Sequence, residues 1–166
     1  MGASVGVTKA IGTVEKILFP TICVLWMIWG AVHVFAGIAT MARPAGEAVA
    51  GIADKEDADA IEALVYASAT GAILNQHGFN LFWIGLGTLV CAPFCWRQSR
   101  LALWIAALLG GPTDMGYFIF LDIGGFVNFF PGTIMTIFSY GAIFLSLYVD
   151  RTAVVSFFRE QLARLL

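Results

Sequence analysis

An all-α membrane protein, with four transmembrane helices in an up-down bundle and an amphipathic or extending helix in the first extracytoplasmic loop, is what this sequence predicts. The first reason is composition. Only 12% of the 166 residues are charged and 60% are hydrophobic, whereas a soluble domain carries about a quarter charged residues. The second is the presence of four apolar runs, each near the 20 or so helical residues needed to cross a hydrocarbon core of about 30 Å. The third is that the charges gather between those runs. Residues 1–166 are expected to form a single membrane domain. With a net charge of -2 and no basic stripe, nucleic acid is excluded as a partner.

The first span is expected over about 17–39. Pro20 falls in its opening turn, where a missing N–H is tolerated. The run is too long and too rich in Trp for a signal-peptide core, so the first helix is expected to be retained. Gly6 stands where a myristoylation signal needs Ser or Thr, which removes that reading.

The outer polar segment, about 42–75, follows. Between Arg43 and Glu62 it sets Arg43 and Lys55 against Glu47, Asp54, Glu56, Asp57, Asp59 and Glu62. From about Lys55 to Ile73 its composition suits a helix, with Ile61, Leu64, Val65 and Tyr66 as an apolar stripe. That helix is expected to lie on the membrane or to extend the second span.

The second span is expected over about 76–96, with Asn75 as a helix cap, the third over 101–123 and the fourth over 127–149. Gly110, Gly111 and Pro112 predict a kink in the third, with Thr113 available to a carbonyl that loses its donor. Lys9, Lys16, Arg97, Arg100, Arg151, Arg159 and Arg164 all fall at one side of this topology, so the positive-inside rule places both termini in the cytoplasm and the acidic segment outside. Residues 156–162 read as a short amphipathic interfacial helix. Cys23, Cys91 and Cys95 lack redox or zinc spacing and are expected to be buried thiols.

Function is sought where the chain departs from its apolar surroundings, in Gly110–Gly132, which places Asp114 and Asp122 within or beside an apolar run. A charge near the bilayer centre costs about 2.5–3.5 kcal/mol, so such residues face a bundle interior or a wet cavity. Depth follows from the helical rise. His33 lies sixteen residues above Ile17, about 24 Å, and Asp114 thirteen above Leu101, about 20 Å. His77, Asn80, Asp122 and Asn128 fall near the outer rim, and the inner half holds no comparable set. One outward-opening pocket accounts for this segregation.

The predicted catalytic residues are Asp114, His33 and Asp122, because proton transfer needs titratable groups of different affinity near one reacting atom. The predicted ligand-binding residues are His77, Asn80, Trp29, Trp83, Tyr117 and Asn128, since an aromatic wall with few polar groups suits a lipophilic molecule. Asp122 is a candidate ion-pair partner for Arg43. The expected activity is acid–base isomerisation, hydration or redox chemistry on a small lipophilic substrate.

Two other classes stand beside it. His33 and His77 could supply both axial ligands of haem b, with Gly30, Gly37 and Gly78 giving clearance, or could join Asp122 and Glu62 around a metal, although no close-spaced metal motif is present. Alternatively the polar groups only lock helices together or bind a partner subunit. Membrane lipid and a lipophilic small molecule are the expected partners, and a second copy forming a homo-oligomer is a further candidate. Transport is disfavoured, because no repeat relates the two halves and the inner half offers no polar exit path.

Overall fold

The computed structural model describes residues 2–151 and Leu162, with side chains from Lys16 onward. The expected C-terminal interfacial helix lies outside the described residues, Leu162 apart. Among the described residues six α-helices follow one another: α1 (Gly2–Ala42), α2 (Ala45–Ile52), α3 (Ala58–Glu62), α4 (Ser68–Trp96), α5 (Arg100–Tyr117) and α6 (Ile134–Val149). A wider π-helical turn, Phe118–Asp122, extends α5, and the segment Phe129–Thr133, kinked by the extended backbone of Phe130 (φ -118°, ψ 131°), leads into α6. The four long apolar segments are Lys16–Ala42, Ser68–Trp96, Arg100–Asp122 and Phe129–Val149, of 27, 29, 23 and 21 residues.

Each long helix packs on its neighbours in sequence and α6 closes the ring on α1. The centre is filled by Phe19, Ile22, Trp26 and Trp29 of α1 with Cys91, Cys95, Leu103, Ala106, Met135 and Ala142. The outer faces of the same helices present Phe35, Val90, Phe94, Leu108 and Phe144, each at least half exposed. Water would not tolerate so much contiguous apolar surface, whereas lipid tails do. The chain is a four-span integral membrane protein.

The tightest contact is the crossing of α1 and α4. A Cβ at Gly30 would lie 2.8 Å from the Gly85 carbonyl oxygen, and one at Gly78 would lie 2.8 Å from that of Gly37. Seven residues separate the glycines on each helix, so two pairs meet at two levels and the backbones touch. Dispersion between closely apposed backbones holds such a crossing in lipid, where no hydrophobic effect drives helix association.

Two expectations about the elements change, and the stretch around Pro112 takes a definite form. α4 begins at Ser68 rather than near Gln76, so Asn75 lies inside the helix and caps nothing; the N-cap is Ala67, with no side-chain hydrogen bond. α3 is only five residues long, and the extension of the second span, not a surface helix, uses Ser68–Gln76. α5 runs as α-helix through Pro112, and the departure from α geometry comes six residues later, at Phe118. Thr113 does supply a donor to a backbone carbonyl, that of Leu109 at 2.8 Å.

The connections at the α2 end of the bundle are tied to one another. Asp54 accepts from the backbone N–H of Asn128 at 2.7 Å through its carboxylate, and from the Asn128 side chain at 2.8 Å through its carbonyl. Lys55 N–H donates to the Phe126 carbonyl at 3.2 Å. Gly125 turns this loop with φ of 79°, a backbone state that a side chain would oppose. The segment after α1 is thereby tied to the connection between α5 and α6.

The opposite end has a polar cluster that depth arithmetic on the spans missed. Asp150, just beyond α6, is only 8% exposed. It pairs with Arg100 at the start of α5 and accepts from the Trp104 indole N–H at 2.9 Å. Asp150→Ala is expected to lower stability by about 1–3 kcal/mol, because it leaves the indole N–H and the guanidinium without an acceptor. Thermal unfolding in detergent at the wild-type temperature would show that this clasp contributes nothing.

Candidate functional site

A cavity of about 450 Å³ lies toward the α2 end of the bundle between α1, α4, α5 and the approach to α6, with α2 forming part of its wall. Small or apolar residues make most of the wall, among them Ala36, Ala39, Leu81, Gly116, Phe120, Leu121 and Met135, and the polar groups are few: His33, Thr40, Arg43, Asp54, His77, Thr113, Asp114 and Tyr117. A largely apolar cleft with a few convergent polar groups is the usual form of a small-molecule site.

Its innermost polar feature joins α1 to α5. Asp114 is 2% exposed and accepts from the Trp29 indole N–H through Oδ2 at 2.7 Å. Its other oxygen, Oδ1, faces His33 Nε2 at 3.7 Å. His33 Nδ1 lies 2.8 Å from the Trp29 backbone carbonyl oxygen. A carbonyl can only accept, so Nδ1 bears the proton and Nε2 is the nitrogen turned toward the carboxyl. The imidazole also stacks on the Trp29 indole, centroids 3.6 Å apart and planes 20° from parallel. Trp26 buttresses that indole edge-on at 5.7 Å.

One residue therefore orients both partners, because Trp29 holds the imidazole by its carbonyl and ring and the carboxylate by its indole N–H. The helical spacing makes this possible: Trp29 and His33 are four apart and share a face. Ser139 of α6, fully buried, stands beside Asp114 but donates its hydroxyl hydrogen to the Thr136 carbonyl at 3.1 Å. At 3.7 Å, Nε2 and Oδ1 are too far apart for a direct hydrogen bond. Both are at the cavity wall, where a proton can pass between either atom and a bound molecule.

The residues singled out in the sequence divide into two groups. His33, His77, Asp114 and Tyr117 line the cavity. Trp29 lies behind the wall, fully buried, so it orients rather than contacts. Asn80 and Trp83 bond to each other at 3.2 Å on an exposed part of α4 and do not line the cavity. Asn128 holds the outer loop through Asp54. Asp122 accepts from Thr133 and not from Arg43, and its Oδ2 is buried without a partner among the described residues. It is absent from the cavity wall, away from the His33–Asp114 pair. The Tyr117 side chain packs against Gly132, where a Cβ would overlap its hydroxyl.

Arg43 and Asp54 are cavity residues that the sequence alone leaves in the polar loop. Arg43 could have been found by counting: 33, 36, 40 and 43 are spaced 3, 4 and 3 apart and share one face of α1. The clearance beside the histidines is not supplied by the glycines expected to give it. Gly37 and Gly78 are in backbone contact with each other's helix, and Gly30 is against Gly85 and Thr88, so these glycines leave no slot for a flat haem b. No group of three or more His, Cys, Asp or Glu side chains able to hold a metal ion occurs among the described residues. The three cysteines are buried and free.

Fold and site together define a four-span integral membrane protein with a cavity at the α2 end of its bundle, whose wall has a carboxyl–imidazole pair. Comparison with protein-family models, curated proteins and solved structures finds no match for the chain.

Proposed function

We propose that this protein is a membrane enzyme that moves protons on a small lipophilic substrate, with Asp114 and His33 as its acid–base pair. The observation that supports this most is the placement of Asp114 Oδ1 and His33 Nε2, 3.7 Å apart, side by side on the wall of a largely apolar cavity. With Nδ1 committed to the Trp29 carbonyl, the neutral imidazole has a lone pair at Nε2 and can take a proton, while the acid form of Asp114 can give one. A double bond is shifted when one carbon receives a proton and its neighbour's neighbour loses one, so no electrons are gained or lost overall. Addition of water across the bond uses the same two groups. Trp29 keeps the pair oriented, which is the contribution expected of preorganised hydrogen bonds in a water-poor site. His77 and Tyr117 stand further along the same wall as contacts for the substrate. By the distribution of basic residues, the cavity faces outward and both termini are cytoplasmic.

The test works whatever the substrate is. Protein in nanodiscs is incubated in D2O with a membrane lipid extract, and the extract is analysed by mass spectrometry. One lipophilic species, or one isomeric pair, is expected to acquire deuterium at carbon with the wild-type protein and not with Asp114→Asn. Labelling that is absent, or equal in the variant, removes the proposal.

A further inference from the structure

We infer that the cavity takes a long-chain amphiphile with an anionic head, a carboxylate or phosphate held by Arg43 at the mouth while the apolar chain runs down α1 to the His33–Asp114 pair. This rests on the reading of that pair as the reacting centre.

The α1 wall of the cavity is a single stripe. His33 is at its inner end, Ala36 and Thr40 follow, and Arg43 closes the outer end. Ten residues of helix separate the two ends, about 15 Å along the axis. The side chains between them are short, so they form a smooth apolar track rather than a series of polar contacts. A molecule that touches both ends must therefore be long, and it must be apolar over the stretch it lays against Ala36 and Ala39.

Charge chooses the head. Arg43 has no ion-pair partner among the described residues, and the positive-inside tendency works against an arginine at this end of the span. Its guanidinium lies against α2 at Gly51, where a Cβ would come within 3.1 Å of Nη1. The absence of a side chain at 51 lets the cation reach across the cavity mouth. Asp54 and His77 also face the cavity. The Asp54 carboxylate accepts the Asn128 N–H through one oxygen and stays anionic, so among the described residues Arg43 is the one Lys or Arg side chain on the cavity wall that can receive an anion. A guanidinium has a planar fork of donors matched to carboxylate and phosphate oxygens.

The test is equilibrium binding to the full-length protein in phosphatidylcholine nanodiscs, followed by intrinsic tryptophan fluorescence. The probes are dodecanoate, dodecyl phosphate and dodecanol, each below its micellar concentration. The two anions are expected to bind about tenfold tighter than the alcohol, the size of one charge-assisted hydrogen-bonded contact. Arg43→Gln is expected to abolish that preference while leaving dodecanol binding unchanged, and Arg43→Lys to retain part of it. Repeating the titration in nanodiscs containing phosphatidylglycerol separates the sources of the anion: competition assigns the site to a bilayer phospholipid, and its absence to a free single-chain amphiphile. Equal affinity for dodecanoate and dodecanol in the wild type, or an undiminished preference in Arg43→Gln, overturns the inference. Failure of deuterium labelling with the anion preference intact removes only the enzymatic reading; loss of the preference with labelling intact removes only this one.

Discussion

Gly37→Val is expected to prevent α1 and α4 from closing on each other, with a loss of at least about 3 kcal/mol, at or above the upper end of ordinary overpacking costs. The reason is the identity of the atoms it meets. A Cβ at 37 would lie 2.5 Å from both the Gly78 carbonyl oxygen and the Phe82 backbone nitrogen, and 2.9 Å from Phe82 Cα. All three are backbone atoms of a helix and cannot rotate away as a side-chain tip would. Relief requires the two helices to separate, and because the Gly30–Gly85 contact two turns below is equally close, the shift propagates along the crossing. Gly71→Ala provides the control. Nothing lies within 4 Å of a Cβ there, so the only effect is helix propensity, a gain of up to about 1 kcal/mol. The measurement is unfolding by added SDS in mixed micelles, with helicity as the readout. If Gly37→Val unfolds at the wild-type SDS fraction, the crossing does not depend on backbone contact.

The four helices are legible in the sequence because the bilayer imposes a length and a composition on each span independently of its neighbours. Their ends are less so. The span requirement sets the minimum that must cross, and α4 begins eight residues before it, through Ser68–Asn75, because a helix satisfies its own backbone whether or not lipid surrounds it. Pro112 lies inside α5. The lost N–H affects one carbonyl, while Thr113 adds a donor one residue away, and the helix continues.

Of the site, the convergence of His33, His77 and Asp114 toward one end of the bundle can be read from residue counts along each span. Which atoms face one another cannot, since rotation about a helix axis is set by packing. The glycines illustrate this. Gly30 and Gly37 flank His33 on its own helix, and the sequence cannot say whether the space beside them holds a ligand or a neighbour's backbone; at this crossing it holds α4. Trp29 reads as a ligand contact on aromatic character alone. Its indole N–H and carbonyl serve Asp114 and His33 instead, a role that emerges only once α1 and α5 are side by side. Asp150 escapes notice because it follows the last span, where a carboxylate is expected to be solvated, yet Arg100 and Trp104 enclose it.

The largest effect on activity is expected from Asp114→Asn and His33→Ala, each lowering deuterium exchange into the substrate by about 10²–10⁴-fold, the usual share of a positioned acid or base. Asp114, His33 and Trp29 could instead serve only to fasten α1 to α5, and the two roles separate in a double-mutant cycle. Asparagine at 114 keeps an oxygen that can accept from the Trp29 indole, so the link between helices survives while the exchangeable acid is gone. Stability is then expected to stay within about 1 kcal/mol of wild type, since one acceptor replaces another. His33→Ala removes the stacked ring and the base but leaves the Trp29–Asp114 bond untouched. If one proton passes through both groups, removing the second after the first costs little more, and the double variant should be no slower than the worse single one. Losses that multiply would mean the two act independently. Exchange that persists in both single variants while unfolding shifts to lower temperature would identify the network as a fastening between helices, with the reacting centre elsewhere on the cavity wall.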